Sequence, residues 1–85
     1  MLKGIRLFPN PVKHFLQLQY DSETTGTAVV AITDMNGVTL LQKDLSVMTG
    51  TNQYKVNTGK WVSGTYFITI RQSGRSATLK FEVRQ

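Results

Sequence analysis

GTYFITIRQSGRSATLKFEV, running from Gly64 to Val83, is the stretch that decides the fold. Tyr66, Ile68 and Ile70 recur at every second residue, and so do Ala77, Leu79, Phe81 and Val83. A period of two is the mark of a strand with one face in a core. Between the two runs, a Ser73-Gly74 loop closes a hairpin by pairing Gln72 with Arg75. That register sets Ile70 opposite Ala77, Ile68 opposite Leu79 and Tyr66 opposite Phe81. A slip of one residue would turn a whole apolar row to the other face, so the register is strongly specified. The outer face then carries Thr65, Phe67, Thr69 and Arg71, and across from them Glu82, Lys80, Thr78 and Ser76. Phe67, opposite Lys80, is expected to be exposed and flanked by positive charge.

The same alternation runs through the preceding residues. Ile5 to Phe8 reads as a short first strand, stopped by Pro9-Asn10-Pro11. Each proline lacks an N–H and pins its φ, and Asn10 is pushed toward extended geometry, which makes a rigid corner at the domain's edge. Lys13 to Tyr20 alternates with Leu16, Leu18 and Tyr20 on one face, and Asp21 to Gly26 is a polar turn. Thr27 to Asp34, with Val29, Val30, Ala31 and Ile32 in a row, reads as the central strand of its sheet. Asn36-Gly37 then turns the chain into Val38 to Leu45. A two-residue loop would put Ile32 opposite Leu41, and a three-residue loop with Gly37 in a bulge would put it opposite Leu40. The bulged form is favoured, because Asp34 and Gly37 suit the first and last places of a type I turn. Ser46 to Thr51 is a loop, Asn52 to Val56 a short strand, and Asn57 to Trp61 a connection with one helical turn at most.

Six or seven short strands, with turns about every 8–12 residues, predict an all-β, immunoglobulin-like antiparallel β-sandwich. A closed five-strand barrel is the competing architecture. Leu16, Leu18, Val30, Ile32, Val56, Trp61, Tyr66, Ile68, Ile70, Leu79 and Phe81 are the expected core, with Trp61 plugging one end.

Composition narrows the chemistry. The 85 residues make one domain, and the 40% apolar and 18% charged fractions are globular values. The longest apolar run, Ala28 to Ile32, is too short to span a membrane as a helix. No apolar segment of signal-peptide type follows Met1. Cysteine is absent, which excludes disulfides, thiolate metal sites and a cysteine nucleophile. The net charge of +5 is unevenly spread. Met1 to Tyr54 balances Lys3, Arg6, Lys13 and Lys43 against Asp21, Glu23, Asp34 and Asp44. Lys55 to Gln85 sets Lys55, Lys60, Arg71, Arg75, Lys80 and Arg84 against Glu82 alone. Such a basic end attracts acidic protein surfaces, nucleic acid or anionic lipid, and also occurs as plain solvated surface.

Candidate sites are few. Asp21 and Glu23 lie two apart in a polar loop, as a solvated turn does, and His14 sits at a strand start with no triad partner. Ser63-Gly64 and Ser73-Gly74 belong to turns, with no Gly-x-Ser-x-Gly and no phosphate loop. Neither metal nor cofactor is expected. Tyr20, Tyr54, Trp61 and Phe67 would suit a sugar-binding face, and suit a core and sheet faces equally well. Nucleic acid is not expected as a partner: Phe67, Lys80 and Arg71 are only a faint version of the basic, aromatic-interleaved patch it needs.

Five segments, in order, resemble a known family. Leu7-Phe8-Pro9-Asn10-Pro11-Val12 is similar to its opening Pro-Asn-Pro signature, and Ile32-Thr33-Asp34-Met35-Asn36-Gly37 to its strand and Asp-x-x-Gly turn. Gly50 and Asn52 resemble its Gly-x-Asn segment, and Ser63-Gly64-Thr65-Tyr66-Phe67-Ile68-Thr69-Ile70 its Gly-x-Tyr strand. Lys80-Phe81-Glu82-Val83 resembles its closing strand. The family is the type A C-terminal sorting domain of the bacterial type IX (Por) secretion system. Each piece alone is weak, and their order and spacing are specific. Where the family often closes with a further lysine, this chain has Arg84-Gln85, and Trp61 stands where the family usually has leucine.

The resemblance implies residues 7–85 as the sorting domain, with residues 1–6 a linker remnant plus the start of the first strand. It implies no enzymatic activity. The domain would carry an upstream cargo, brought to the periplasm by a signal peptide at the far end of a longer precursor. The outer-membrane machinery would export that cargo to the cell surface or the medium, and a sortase would remove the domain. On this reading the last hairpin is the recognised surface, through Phe67, Arg71, Lys80, Phe81, Val83 and Arg84, and its terminal strand at a sheet edge can add to a partner's sheet. Pro9, Asn10 and Pro11 would fix the start of the domain and expose the linker for the sortase. Asp34 and Gly37 would shape a turn, Gly64 would supply backbone freedom, and Tyr66 would pack the core. The rival reading is an accessory carbohydrate-binding or adhesin-type sandwich of a secreted hydrolase.

Overall fold

A computed structural model describes Leu2 and residues 4–85. Met1 and Lys3, part of the expected linker remnant, lie outside the described residues. Seven strands form: β1 Ile5–Phe8, β2 Phe15–Ser22, β3 Gly26–Asp34, β4 Thr39–Val47, β5 Gly50–Asn57, β6 Gly64–Gln72 and β7 Arg75–Val83. They make a three-stranded sheet in the order β1-β2-β5 and a four-stranded sheet in the order β4-β3-β6-β7, with every strand pair antiparallel. The chain is the small β-sandwich its alternation predicts. No helix forms among the described residues; the connection after Asn57 holds a single turn, Trp61 N–H to Thr58 O at 3.0 Å.

The inward rows of the two sheets meet in one core. Leu16, Leu18 and Tyr20 of β2 and Val56 of β5 face Ala28, Val30 and Ile32 of β3, Tyr66, Ile68 and Ile70 of β6, and Phe81 and Val83 of β7. Two expected core residues are only half-buried. Leu79 lies on an edge strand with no further strand beside it. Trp61 sits in a loop, its ring 5.3 Å from that of Tyr66, and so covers the core's end from outside. At the opposite end a buried polar tie joins the sheets. Gln72 of β6 accepts at Oε1 from the hydroxyls of Tyr20 and Ser22 of β2. Gln72 and Ser22 are both buried, so these hydrogen bonds meet polar groups that would otherwise be stranded.

The β6–β7 hairpin has the expected register throughout, from Gln72↔Arg75 to Tyr66↔Phe81. Ser73 at φ 54° and Gly74 at φ 75° place both loop residues in the left-handed region that a type I′ turn requires.

The β3–β4 hairpin combines both expected forms. Gly37 N–H bonds to Asp34 O at 3.1 Å and Asp34 N–H to Val38 O at 3.0 Å, and Gly37 has φ 82°, which is the three-residue loop with its bulge. Yet Ile32 pairs with Leu41, not with the favoured Leu40. A second irregularity between Ile32 and Thr33 makes Leu40 the extra residue of β4. Without it Asp44 would stand opposite the buried Ala28. With it Leu45 does, and Leu41, Leu45 and Val47 all turn inward. Burial of the leucines therefore outweighs continuity of the ladder.

Candidate recognition surface on the terminal hairpin

β6 is central in the four-stranded sheet and β7 is its edge. On their outer face, Phe67 stands between Thr33 of β3 and Lys80 of β7. It is half-buried, not exposed as expected, because a central strand has neighbours on both sides. Thr69 and Thr78 share a hydrogen bond at 2.9 Å, and Thr65 donates to the Glu82 carboxylate at 2.7 Å. Arg71, Arg75, Lys80 and Arg84 are exposed. Arg75 lies 3.5 Å from Glu23, a surface pair of small energetic weight.

The basic residues of the last third do not all gather here. Lys55 belongs to the three-stranded sheet, with its ammonium 4.2 Å from the ring centroid of Phe15, and Lys60 lies in the loop after β5. Of the six residues implied by resemblance to be recognised, Arg71, Lys80 and Arg84 present charge to solvent and Phe67 presents part of a ring. Phe81 and Val83 are buried, in stacks and rows facing the other sheet; Phe81 lies 5.7 Å from the Tyr66 ring. In the folded domain those two support the surface from within.

Pro9, Asn10 and Pro11 occupy a place that local reading of the chain missed. They are not at the start of the domain, since β1 precedes them and pairs with β2 along its whole length. Instead the segment crosses to the other sheet and lies along the end of β7. Asn10 Oδ1 accepts from Glu82 N–H at 3.3 Å, Val12 N–H donates to Glu82 O at 2.8 Å, and Arg84 N–H donates to Val12 O at 2.9 Å. Val12 is fully buried and forms a parallel bridge with Val83. The opening and closing motifs, some seventy residues apart in sequence, are thus one structural unit. The lone apolar Val12 after two prolines was the only local sign of this strap. Gln85 is docked too, its amide donating to Thr58 O at 2.8 Å and Trp61 O at 3.0 Å.

The other motif residues have separate roles. Asp34 Oδ1 accepts from the N–H groups of Asn36 and Val38, each at 2.9 Å, and so holds the β3–β4 turn. Tyr66 fills the core and donates its hydroxyl to Val62 O at 2.6 Å; burial pushes its phenol up from the usual 10.0, and the Asp34 carboxylate adds to the shift. Gly64 does not need the freedom assigned to it. Its φ is not in the left-handed region and a Cβ there would meet open space, so nothing in the structure explains this glycine.

A family model described as the secretion system C-terminal sorting domain matches residues 6–84. The chain belongs to this family. No curated protein matches it. As a sorting domain it is the C-terminal signal of the type IX system, fused to a cargo and acting with the type IX machinery, and it marks that cargo for the cell surface or the extracellular space. No helix among the described residues is long and apolar enough to cross a membrane. The rival sugar-binding arrangement lacks its platform: Tyr20 is buried, Phe67 lies on the outer face of the other sheet, and Trp61 is in a loop.

Proposed function

We propose that the sorting domain works as a folded, non-catalytic label, and that the machinery reads it at the terminal hairpin through Lys80, Arg84 and Arg71, with the exposed part of Phe67 as an apolar contact. The observation that carries this reading is the cluster of exposed cations on β6, β7 and the residue just beyond, with Glu82 the one acidic side chain among them and engaged by Thr65. A basic surface of this kind steers and orients an acidic partner protein. Nucleic acid is not the partner, since the cations lack interleaved exposed aromatics for base stacking. Phe81 and Val83 contribute by keeping β7 in place. A sortase then removes the domain by cutting upstream of β1 and of Leu2, which packs against the core; between them Gly4 O accepts from Asp21 N–H at 3.1 Å.

The test is a reporter carrying a signal peptide and this domain, expressed in a host with the type IX system. Lys80→Glu with Arg84→Glu reverses two exposed charges and leaves the core untouched, so the variant should melt like the parent while surface delivery falls severalfold. Normal delivery of a folded double variant would remove charge from the recognition mechanism.

A further inference from the structure

The four strand edges of the sandwich are not equivalent. β1 has four residues and ends at Pro9. β4 is interrupted by the bulge at Leu40 and carries Lys43 in its inward row, opposite Val30. The Lys43 ammonium lies 5.9 Å from the Tyr54 ring of β5, so one side chain spans both edges on that flank. Bulges, short strands and inward charges are how sheets discourage a further strand.

Along Ser76–Phe81, β7 has no proline, no break in register, and only Ala77, Leu79 and Phe81 in its inward row; Arg75 heads that row at the turn, and Lys80 is the one charge of the stretch, on the outer face. In an antiparallel pair, alternate residues turn their main-chain groups away from the partner strand. Glu82 does so, since its N–H and C=O both go to the strap. By the same parity Ser76, Thr78 and Lys80 point their N–H and C=O groups outward. The strap covers Glu82 and Arg84 and stops there, which leaves an open edge bounded by the strap at one end and the Ser73-Gly74 turn at the other.

Two features of this edge describe its occupant. Ala77 and Leu79 are half-buried, on an edge strand with no further strand beside it. The outer face beside it carries Lys80, with Arg84 just past the strand at the strap end; at the turn end Arg75, in the inward row, is exposed and 3.5 Å from Glu23. We propose that the open edge of β7 accepts an extended segment of a type IX machinery protein as a fifth strand, with apolar side chains over Ala77 and Leu79 and acidic ones beside Lys80. The strap sets the length of that strand by ending the free edge at Lys80. This deepens the recognition reading above and rests on it: main-chain hydrogen bonds supply affinity and the cations supply orientation.

The test separates backbone from side chain. Thr78→Pro removes one outward N–H and adds a ring at the edge, without removing a main-chain bond to β6; the hydroxyl bond to Thr69 is lost equally in Thr78→Val, which controls for it. Thr78→Val keeps the N–H. In the reporter assay, with folding verified by circular dichroism and melting, Thr78→Val should be delivered like the parent. Thr78→Pro should fall about tenfold or more, the effect of losing a docked main-chain hydrogen bond. Ser76→Pro repeats the test should Thr78→Pro not fold. Independently, amide hydrogen exchange of the unaltered domain, with and without the detergent-solubilised outer-membrane complex, should show protection gained at Ser76, Thr78 and Lys80. A folded proline variant delivered at the parental rate, or unchanged exchange at those amides in the complex, overturns the proposal. Failure of the parent domain to deliver the reporter would instead refute the recognition reading on which the proposal rests.

Discussion

Ile68→Ala tests the sandwich at its centre. Ile68 lies on β6 between Ile32 of β3 and Leu79 of β7 and is 1% exposed. The substitution removes three side-chain carbons. At about 0.8 kcal/mol per buried carbon, transfer alone costs roughly 2.4 kcal/mol. Both flanking strands are hydrogen-bonded to β6 and cannot close the space, so a cavity cost adds to it. The total should be about 3–4 kcal/mol, a large share of the roughly 5–15 kcal/mol that stabilises a typical domain. Leu79→Ala, in the same cross-strand row, is the internal comparison. Leu79 is half-buried at the edge, so its loss should cost about half as much, and the site can be refilled by solvent. Urea melts followed by Trp61 fluorescence measure both, with the slope checked for constancy. The Ile68 variant should also lose on the order of 15 °C or more in Tm. A loss below about 1 kcal/mol for Ile68→Ala, or a larger loss for Leu79→Ala, would refute the assigned register and the central place of β6.

Two further outcomes follow from single side chains. Asp34→Ala frees the N–H groups of Asn36 and Val38, which water can reach, so the loss in denaturant melts should be about 1–2 kcal/mol and surface delivery should be unaffected while the domain stays folded. Tyr66 has its phenol raised above 10.0 in the folded state, so the native state holds this proton to higher pH than the unfolded chain. Its contribution is complete below pH 10 and is lost as pH rises through the folded value; Tyr66→Phe should therefore flatten the fall in stability measured above about pH 10.

Legibility of the fold followed the range of the interactions. The β6–β7 register is set by two alternating runs and a short loop, all local, and every expected pair is present. The β3–β4 turn is local too, and Asp34 and Gly37 mark it. Its register a few residues on depends on which of Leu40 and Leu41 the opposite sheet can bury, and that competition has no local trace. Exposure was harder again. Phe67 alternates with Tyr66 and Ile68 and so points outward, but strand order decides how far Thr33 and Lys80 cover it. Phe15 shows the converse: it alternates with Leu16 and Leu18 onto the outer face of a three-stranded sheet and stays exposed, with the Lys55 ammonium over its ring.

The strap was out of reach for a different reason. Pro9 and Pro11 announce an interruption, but a segment that gives up its own N–H donors says nothing about where its remaining polar groups find partners. Those partners lie at Glu82 and Arg84, beyond every intervening strand. This pairing changes the meaning of the terminal motif. Lys80, Phe81, Glu82 and Val83 are contiguous in sequence and divide three ways in the fold: Lys80 to solvent, Phe81 and Val83 to the core, and the main chain of Glu82 to the strap. A peptide of that sequence alone would present four side chains and a whole edge; the folded domain presents one cation and a short edge ended by Val12. In the proposed docking, the length of that edge would be one feature that tells the folded form from unfolded chain. Asn10 and Val12 touch no partner in that docking and would act on recognition by defining where the edge ends.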